Sequence, residues 1–239
     1  MHRGMIWNID NGGTLDLLTP NIGNISNVVN TIHEVNPDFA VLPEYMIRYS
    51  NNLITNGLRQ IGFDHFCVNK NNQDKDLRKR VLIASKYEIT DISDEGNINS
   101  YDLRNWREVQ INDLNIHLLA VDVPLAETKD LQGNKKNNRH NKKKFLDAML
   151  LKAQENKHKE ISFAMLGDFN LHPDAVFPEY LEKFNNELQE ITDGNATWND
   201  KKLDYIFVND CFIKKITTVS SPKSTAYSDH CYIYFDFED

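Results

Sequence analysis

The feature that most constrains this chain is the placement of its acids and amides, which fall at the ends of short apolar runs from Asn8 to His230. Asn8 lies within Trp7-Asn8-Ile9, and Glu44 closes Asp38-Phe-Ala-Val-Leu-Pro-Glu44. Asp168 and Asn170 follow an apolar run in Leu166-Gly-Asp-Phe-Asn170, Asp204 sits in Leu203-Asp-Tyr-Ile-Phe-Val208, and Asp229-His230 directly precede the last run. Taken singly, each has a plain explanation. A carboxylate at a strand end often caps the next turn. Asp168 with Asn170 would make a side-chain-to-backbone turn, and His230 would be a satisfied, half-buried histidine. Their joint occurrence asks for more, because the chain must then carry several strands whose polar ends are all kept.

Hydrophobic periodicity supplies those strands. Met5–Ile9, Phe39–Leu42, His65–Val68, Val81–Ala84, Val109–Ile111, Ile116–Val121, Ile161–Leu166, Tyr205–Val208, Ile213–Val219 and Tyr232–Phe237 read as strands, with Gly167 breaking the seventh. Apolar residues at three- and four-residue spacing predict helices over Asn24–Val35, Asn52–Ile61, Lys142–Gln154 and Phe177–Leu188. Helices fall between the early strands, whereas the late strands crowd together. That order predicts a sheet-on-sheet core with helices outside rather than one parallel sheet.

The 239 residues carry a formal net charge of -8, which disfavours a protein that grips nucleic acid over its whole surface. No Pro/Gly/Ser-rich linker divides the sequence, so a single domain over 1–239 is expected. No run approaches the roughly 20 apolar residues of a membrane span. The N-terminus reads as a strand, and Cys67, Cys211 and Cys231 are too scattered for a disulfide framework. Free thiols and a cytoplasmic location follow as expectations. Positive charge is concentrated in Lys129, Lys135, Lys136, Arg139, Lys142, Lys143 and Lys144, opposed by Asp130. The ordinary reading of such a run is a solvated loop leading into a helix.

Asn, Asp and Glu are hard oxygen donors of the kind that suit Mg2+, and soft ligands are missing from the set, which fits zinc poorly. A divalent ion next to a histidine and an amide has the parts for attack of water on a phosphoester. Trp7-Asn8-Ile9, Pro43-Glu44, Val81-Leu-Ile-Ala-Ser-Lys86, Gly167-Asp-Phe-Asn170, Leu203-Asp-Tyr-Ile-Phe207 and Ser228-Asp-His230 together resemble the endonuclease/exonuclease/phosphatase superfamily, of which deoxyribonuclease I is a representative. The likeness runs from Met5 to Phe237. Any one block is a weak signal, but all of them in order are a strong one.

That resemblance implies a four-layer α/β sandwich of two packed, mostly antiparallel sheets flanked by helices, and a hydrolase using Mg2+, with Mn2+ as a substitute. It implies that Glu44 is the main metal ligand, with Asn8 and Asp229 completing the metal site. Asp168 would position or deprotonate the attacking water, and Asn170 would orient that water or bind the phosphate. His230 would donate to a phosphate oxygen, held in its tautomer by Asp204. The sequence departs from the pattern at Ala120-Val-Asp-Val-Pro124, where Asp122 stands in place of a second histidine common in the family. Asp122 would then be a leaving-group acid, a metal ligand or an inert replacement. His117 lies five positions earlier and is not promoted.

Fold alone does not choose among nucleic acid, small phosphorylated metabolites and lipid headgroups, and a non-catalytic phosphate-binding module is a further alternative. The basic run follows the strand holding Asp122, so Lys142 and Lys143, with Lys75, Arg78, Lys79 and Arg80, are expected to form a positive lip beside the metal. Nucleic acid, DNA or RNA, is the favoured substrate on that ground. Trp7, Phe39, Phe163, Phe169 and Tyr205 are assigned to the core, and Trp106 and Trp198 to a possible groove wall.

Overall fold

The computed structural model describes residues 1–13, 22–68, 79–93, 105–129, 134–222 and 227–239. One sheet contains β1 (His2–Ile6), β2 (Phe39–Met46), β3 (His65–Val68), β4 (Lys79–Ser85), β13 (Ile216–Ser220) and β14 (Ile233–Phe237), in the order β13-β14-β1-β2-β4-β3. The other contains β5 (Ile89–Asp91), β6 (Trp106–Ile111), β7 (Ile116–Asp122), β10 (Ser162–Asp168), β11 (Gln189–Glu190) and β12 (Asp204–Val208), in the order β11-β12-β10-β7-β6-β5. Each sheet has one parallel pair at its centre, β1 with β2 and β7 with β10, and is antiparallel elsewhere.

Side chains alternate between the faces of a strand, and here both faces are apolar. On β7, Ile116, Leu118 and Ala120 enter the layer between the sheets, while Leu119 and Val121 point to the other side. The inter-sheet layer also takes Ile6, Phe39, Val41, Val81, Ile83, Ala164, Leu166, Ile206 and Phe235. The outer face of the first sheet is covered by Ile25, Val28 and Ile32 of α2 (Ile22–Val35) and by Ile54 and Leu58 of α3 (Ile47–Gln60). The outer face of the second is covered by Phe145, Leu146 and Met149 of α4 (Arg139–Asn156) and by Tyr180 and Phe184 of α5 (Glu179–Glu187). At about 1.5–3 kcal/mol for each fully buried large apolar side chain, these outer layers contribute to stability alongside the inter-sheet core. The result is the sheet-on-sheet core with helices outside that the order of elements predicts, and the four-layer sandwich that the resemblance implies.

Several boundaries differ from the sequence reading. The strand that Gly167 was expected to end continues through it to Asp168, pairing Gly167 with both Val121 and Tyr205. The segment from Ile213 opens as a 3-10 turn, Ile213–Lys215, before β13 begins. Part of the basic run forms a two-stranded hairpin, β8 (Glu127–Lys129) with β9 (Lys135–Asn137), rather than a loop. Trp106 is 1% exposed and packs edge-on against Phe145, which removes it from any groove wall. Trp7, Phe39, Phe163, Phe169 and Tyr205 are core residues as expected. Among the described residues no helix is long and apolar enough to cross a membrane, and none of the three cysteines forms a disulfide.

Candidate active site at one edge of the sandwich

The two central parallel pairs run so that the C-terminal ends of β7 and β10 lie together, and so do those of β1 and β2. Strands antiparallel to them, β4 and β12, begin at that same edge. Asp122 pairs with Asp168, and Asp168 pairs with Asp204, so three aspartates stand in a row across β7, β10 and β12. Each continues the alternation of inward-facing neighbours: Ala120 before Asp122, Leu166 before Asp168 and Ile206 after Asp204. The three carboxylates therefore cap the inter-sheet layer.

The first sheet faces them with Asn8, which follows β1. Asn8 is fully buried. It donates from Nδ2 to Asp168 Oδ2 at 3.0 Å, and its Oδ1 accepts the Asp10 N–H at 3.1 Å. Glu44 reaches the site through a β-bulge, where the register of β2 against β4 shifts between Leu42 and Tyr45. Leu42 and Tyr45 both pack on the helical side. Glu44, at φ 60, is the residue that absorbs the shift, as bulges beside active sites commonly do. Its Oε2 accepts the Asn11 N–H at 3.1 Å and forms an ion pair with Lys79.

The segment from Ser228 to His230 is pinned to the end of β1. Ser228 Oγ donates to the Asn8 carbonyl at 2.6 Å and accepts the His230 N–H at 3.1 Å, while Trp7 Nε1 donates to the His230 carbonyl at 3.0 Å. His230 Nδ1 then meets Asp204 Oδ2 at 2.7 Å. Burial by itself would lower the histidine pKa, but the charge and hydrogen bond of Asp204, with Asp168 and Asp229 behind, raise it to about 10. The imidazole is thus held as a cation and a donor. Burial and the neighbouring Asp204 push the Asp168 carboxyl well above the ordinary carboxylate range, against the lowering effects of His230 and the Asn170 N–H. A carboxylate with raised basicity beside a fixed imidazolium is the pattern of paired acid–base groups.

Asn170 has a left-handed backbone, φ 48, a conformation that Asn tolerates better than most residues. Its N–H donates to Asp168 Oδ1 at 2.8 Å and its Nδ2 to the Val123 carbonyl at 2.9 Å. Lys142, expected on an exposed lip, is instead 2% exposed and donates from Nζ to the Asn170 carbonyl at 2.7 Å. It faces inward because α4 lays this side of its first turns against the site. Burial lowers its pKa to about 8, opposed by the charge of Asp168. A lysine whose folded pKa lies below its ordinary 10.5 costs stability most below pH 8, and that cost fades as pH rises toward 10.5. Lys142→Met should therefore gain stability relative to wild type at pH 7 and lose that advantage by pH 10.5. Denaturant melts of both proteins across this range check it, and a difference that does not change with pH would refute the buried charge.

Arg80 is also displaced from the expected rim. It is 1% exposed and lies on the helix-facing side of β4 with Leu82 and Ala84, paired with Tyr45. Alternation puts its neighbour Lys79 on the site side, in line with Val81 and Ile83. Lys75 and Arg78 lie outside the described residues. Lys143 and Lys144 are exposed, and Lys143 Nζ bonds Asp147 at 2.9 Å. Asp229 is exposed and accepts Trp198 Nε1 at 2.8 Å; the Trp198 ring lies 6.5 Å from that of His230. His117 is far along β7, bound at Nε2 to Glu108 at 2.8 Å.

One acidic residue escaped the sequence reading. Asp10 opens α1 (Asp10–Gly13), a single left-handed turn in which Asp10, Asn11, Gly12 and Gly13 all have positive φ. Burial, then the charges of Asp229 and Glu44, raise its carboxyl to about 6. Its spacing two residues after Asn8, before a Gly-Gly pair that permits the turn, was the available signal.

The donor set bears on which residues would hold a metal. Ligand atoms of Asp168, Asp204 and His230 lie within 4.8 Å of one another. A protonated histidine hydrogen-bonded to its carboxylate is a poor ligand, however, since metal binding needs the neutral ring. Glu44, Asp10, Asp229 and Asn8 offer hard oxygens instead; the Asp10 N–H is bound by Asn8 and the adjacent Asn11 N–H by Glu44, and the charges of Asp229 and Glu44 act on Asp10. That set fits a hard divalent cation.

The Endonuclease/Exonuclease/phosphatase family model matches residues 5–230. The chain belongs to that family. Comparison with curated protein sequences gives no significant match. Among solved structures, the family member resembles an AP endonuclease from Archaeoglobus fulgidus, with a TM-score of 0.76 and 14% identity over 100% of both chains. It also resembles the 3'-5' exonuclease NExo from Neisseria meningitidis, with a TM-score of 0.71 and 15% identity over 99% of both chains. A third likeness is to a Neisseria NExo 3' phosphatase variant bound to a product DNA hairpin, with a TM-score of 0.70 and 14% identity over 100% of both chains. At such identities these likenesses establish the fold, a deoxyribonuclease I-like sandwich, and family membership marks the chain as a hydrolase of phosphoester bonds.

Proposed function

We propose that this chain is a divalent-metal-dependent nuclease that cleaves nucleic-acid phosphodiesters by attack of water. The observation that carries the reading is the meeting of Asp168, Asn170, the Asp204–His230 pair and Glu44 at one edge of the sandwich, from strands far apart in sequence. Glu44, Asn8 and Asp229, with Asp10 added, would hold Mg2+ or Mn2+. Such an ion supplies positive charge to the phosphoryl oxygens.

The chain's own groups account for the rest. Asp168 positions the attacking water and takes its proton, its basicity raised toward neutrality by burial. Asn170 orients that water or the phosphate. His230 donates from Nε2 to a phosphate oxygen as negative charge builds there, with Asp204 fixing Nδ1 and the ring. Asp122, next to Asp168 in the row, would serve as leaving-group acid or as a further metal ligand. Trp198 stands beside His230 as a candidate wall for the sugar or base.

Nucleic acid is favoured by two observations. The exposed Lys135, Lys136, Arg139, Lys143 and Lys144 follow the strand that carries Asp122 along the chain, and α4, which holds the last three, is tied to the site by the bond from Lys142 Nζ to the Asn170 carbonyl. The similar structures are named for an AP endonuclease and a 3'-5' exonuclease, and one holds a DNA hairpin.

A panel of plasmid, single-stranded oligonucleotide and small phosphate ester, each with Mg2+ and with EDTA, tests the proposal. Cleavage of nucleic acid that EDTA abolishes is expected. Phosphate release from the small ester without nucleic-acid cleavage would replace it with a metabolite phosphatase, and activity that survives EDTA would remove the metal. Lys143→Glu with Lys144→Glu should weaken nucleic-acid binding at low salt by about tenfold and reduce the salt slope by about one per lost contact. Unaltered binding would mean that the basic helix face is not the contact surface.

A further inference from the structure

Lys79 is the cation that the sequence reading grouped with the rim and that the geometry carries into the centre of the carboxylates. It is the first residue of β4 and faces the inter-sheet side in register with Met46. Its ammonium forms an ion pair with Oε2 of Glu44, the carboxylate turned inward by the bulge. The charges of Asp122 and Asp10 act on it as well. It therefore touches or faces acids from three separate elements: β2, the end of β7 and the left-handed turn after β1. Its side chain is 38% exposed.

Charge balance gives this placement its meaning. Glu44, Asp10, Asp229, Asp122, Asp168 and Asp204 gather six carboxyl groups at one edge. His230 is committed to Asp204, and Lys142 sits behind Asn170 with its Nζ on the backbone carbonyl. Lys79 and the His230 imidazolium are the cations whose charges act on Asp10, and Lys79 is the one that forms an ion pair with Glu44. Two divalent ions on the Glu44 side would have to share it with a fixed ammonium a few ångströms away, and repulsion between cations at such range is strong at a partly buried site.

We propose that Lys79 is a built-in cation of this site, sharing Glu44 with a single divalent ion and occupying by its ammonium the place that a second ion would otherwise take. This rests on the metal-dependent reading above. Lys79 is here a positioning residue: it sets how many ions bind and how tightly, and its charge rather than its shape is what counts.

Titration of the full chain with Mn2+, followed by calorimetry and by electron paramagnetic resonance of the free ion, tests this without any turnover. Wild type should bind one Mn2+ per chain. Lys79→Met should either take a second equivalent or bind the first about tenfold more tightly, while Lys79→Arg should behave as wild type. Two ions bound by wild type, or unchanged stoichiometry and affinity in Lys79→Met, would overturn the role of Lys79 and leave the metal-dependent reading intact. A Lys79→Arg protein that behaves like Lys79→Met would overturn it too, since charge would then not be the cause. If wild type binds no Mn2+ at all, both readings fall together. Thermal melts in EDTA confirm that each variant is folded before titration.

Discussion

Asp168→Asn should lower the hydrolysis of a phosphoester substrate by about 10²–10⁴-fold, the range of a positioned general base, while leaving the protein folded. The side chain keeps its size and an oxygen for the Asn170 N–H, and gives up as an acceptor the oxygen that takes Asn8 Nδ2, so the larger loss falls on chemistry. Stability should move the other way. Because the folded pKa of Asp168 is raised above its ordinary 3.8 by burial and by Asp204, its ionised form costs stability above that folded pKa. The cost disappears as pH falls below the unfolded value. The amide variant should therefore melt at or above the wild-type temperature at pH 8 and show no such advantage near pH 3.5. Rate measurements paired with melts at both pH values check this. A variant that retains a tenth or more of its activity would remove Asp168 from the reaction. One that loses activity and stability together would make its role structural.

Gly167→Ala is expected to be severely damaging for a single added methyl group. A Cβ at this position would lie 1.9 Å from the Val121 carbonyl oxygen and 2.9 Å from its carbon, on a backbone with φ +143. Both obstacles are backbone, in the central β7–β10 pair of the sheet, so neither yields by a rotamer change. Such a clash belongs with the exceptional substitutions, at about 4 kcal/mol or more. For a domain of this size that corresponds to a melting-temperature drop of roughly 8–16 °C. Activity should fall as well, because separating the strands moves Asp168, the next residue, away from Asp122 and Asn8. A drop of less than about 2 °C in calorimetry would show that the strands do not approach this closely.

These two neighbouring residues also illustrate how far the sequence could be read. The glycine was visible as a punctuation mark, but a glycine that ends a strand and one that lets two strands touch look identical in a string of letters. Only the pairing partner distinguishes them. Arg80 and Lys79 make the same point. Both are basic and adjacent, and alternation guarantees that they face opposite ways, yet which one faces the site depends on which face of β4 packs between the sheets. Lys142 reads, from the sequence alone, as part of a charged, solvated run, because local composition says nothing about which side of a helix meets the sheet. Asp10 was passed over because its role depends on a left-handed turn that brings it toward Glu44 and Asp229.

The ordered apolar runs were enough to set the sandwich architecture. Side chains that alternate and are apolar on both faces can be satisfied only by a layer between the sheets and helices outside. The polar residues retained at the strand ends, in the order Asn8, Glu44, Asp168, Asn170, Asp204 and His230, were likewise legible as one chemical set. What the tertiary structure decided was proximity: the Asp122–Asp168–Asp204 row, the Asp204–His230 hydrogen bond and the ion pair of Lys79 with Glu44. Those contacts come from strand register and one bulge, which depend on partners distant in the chain and are therefore not written in any local stretch of it.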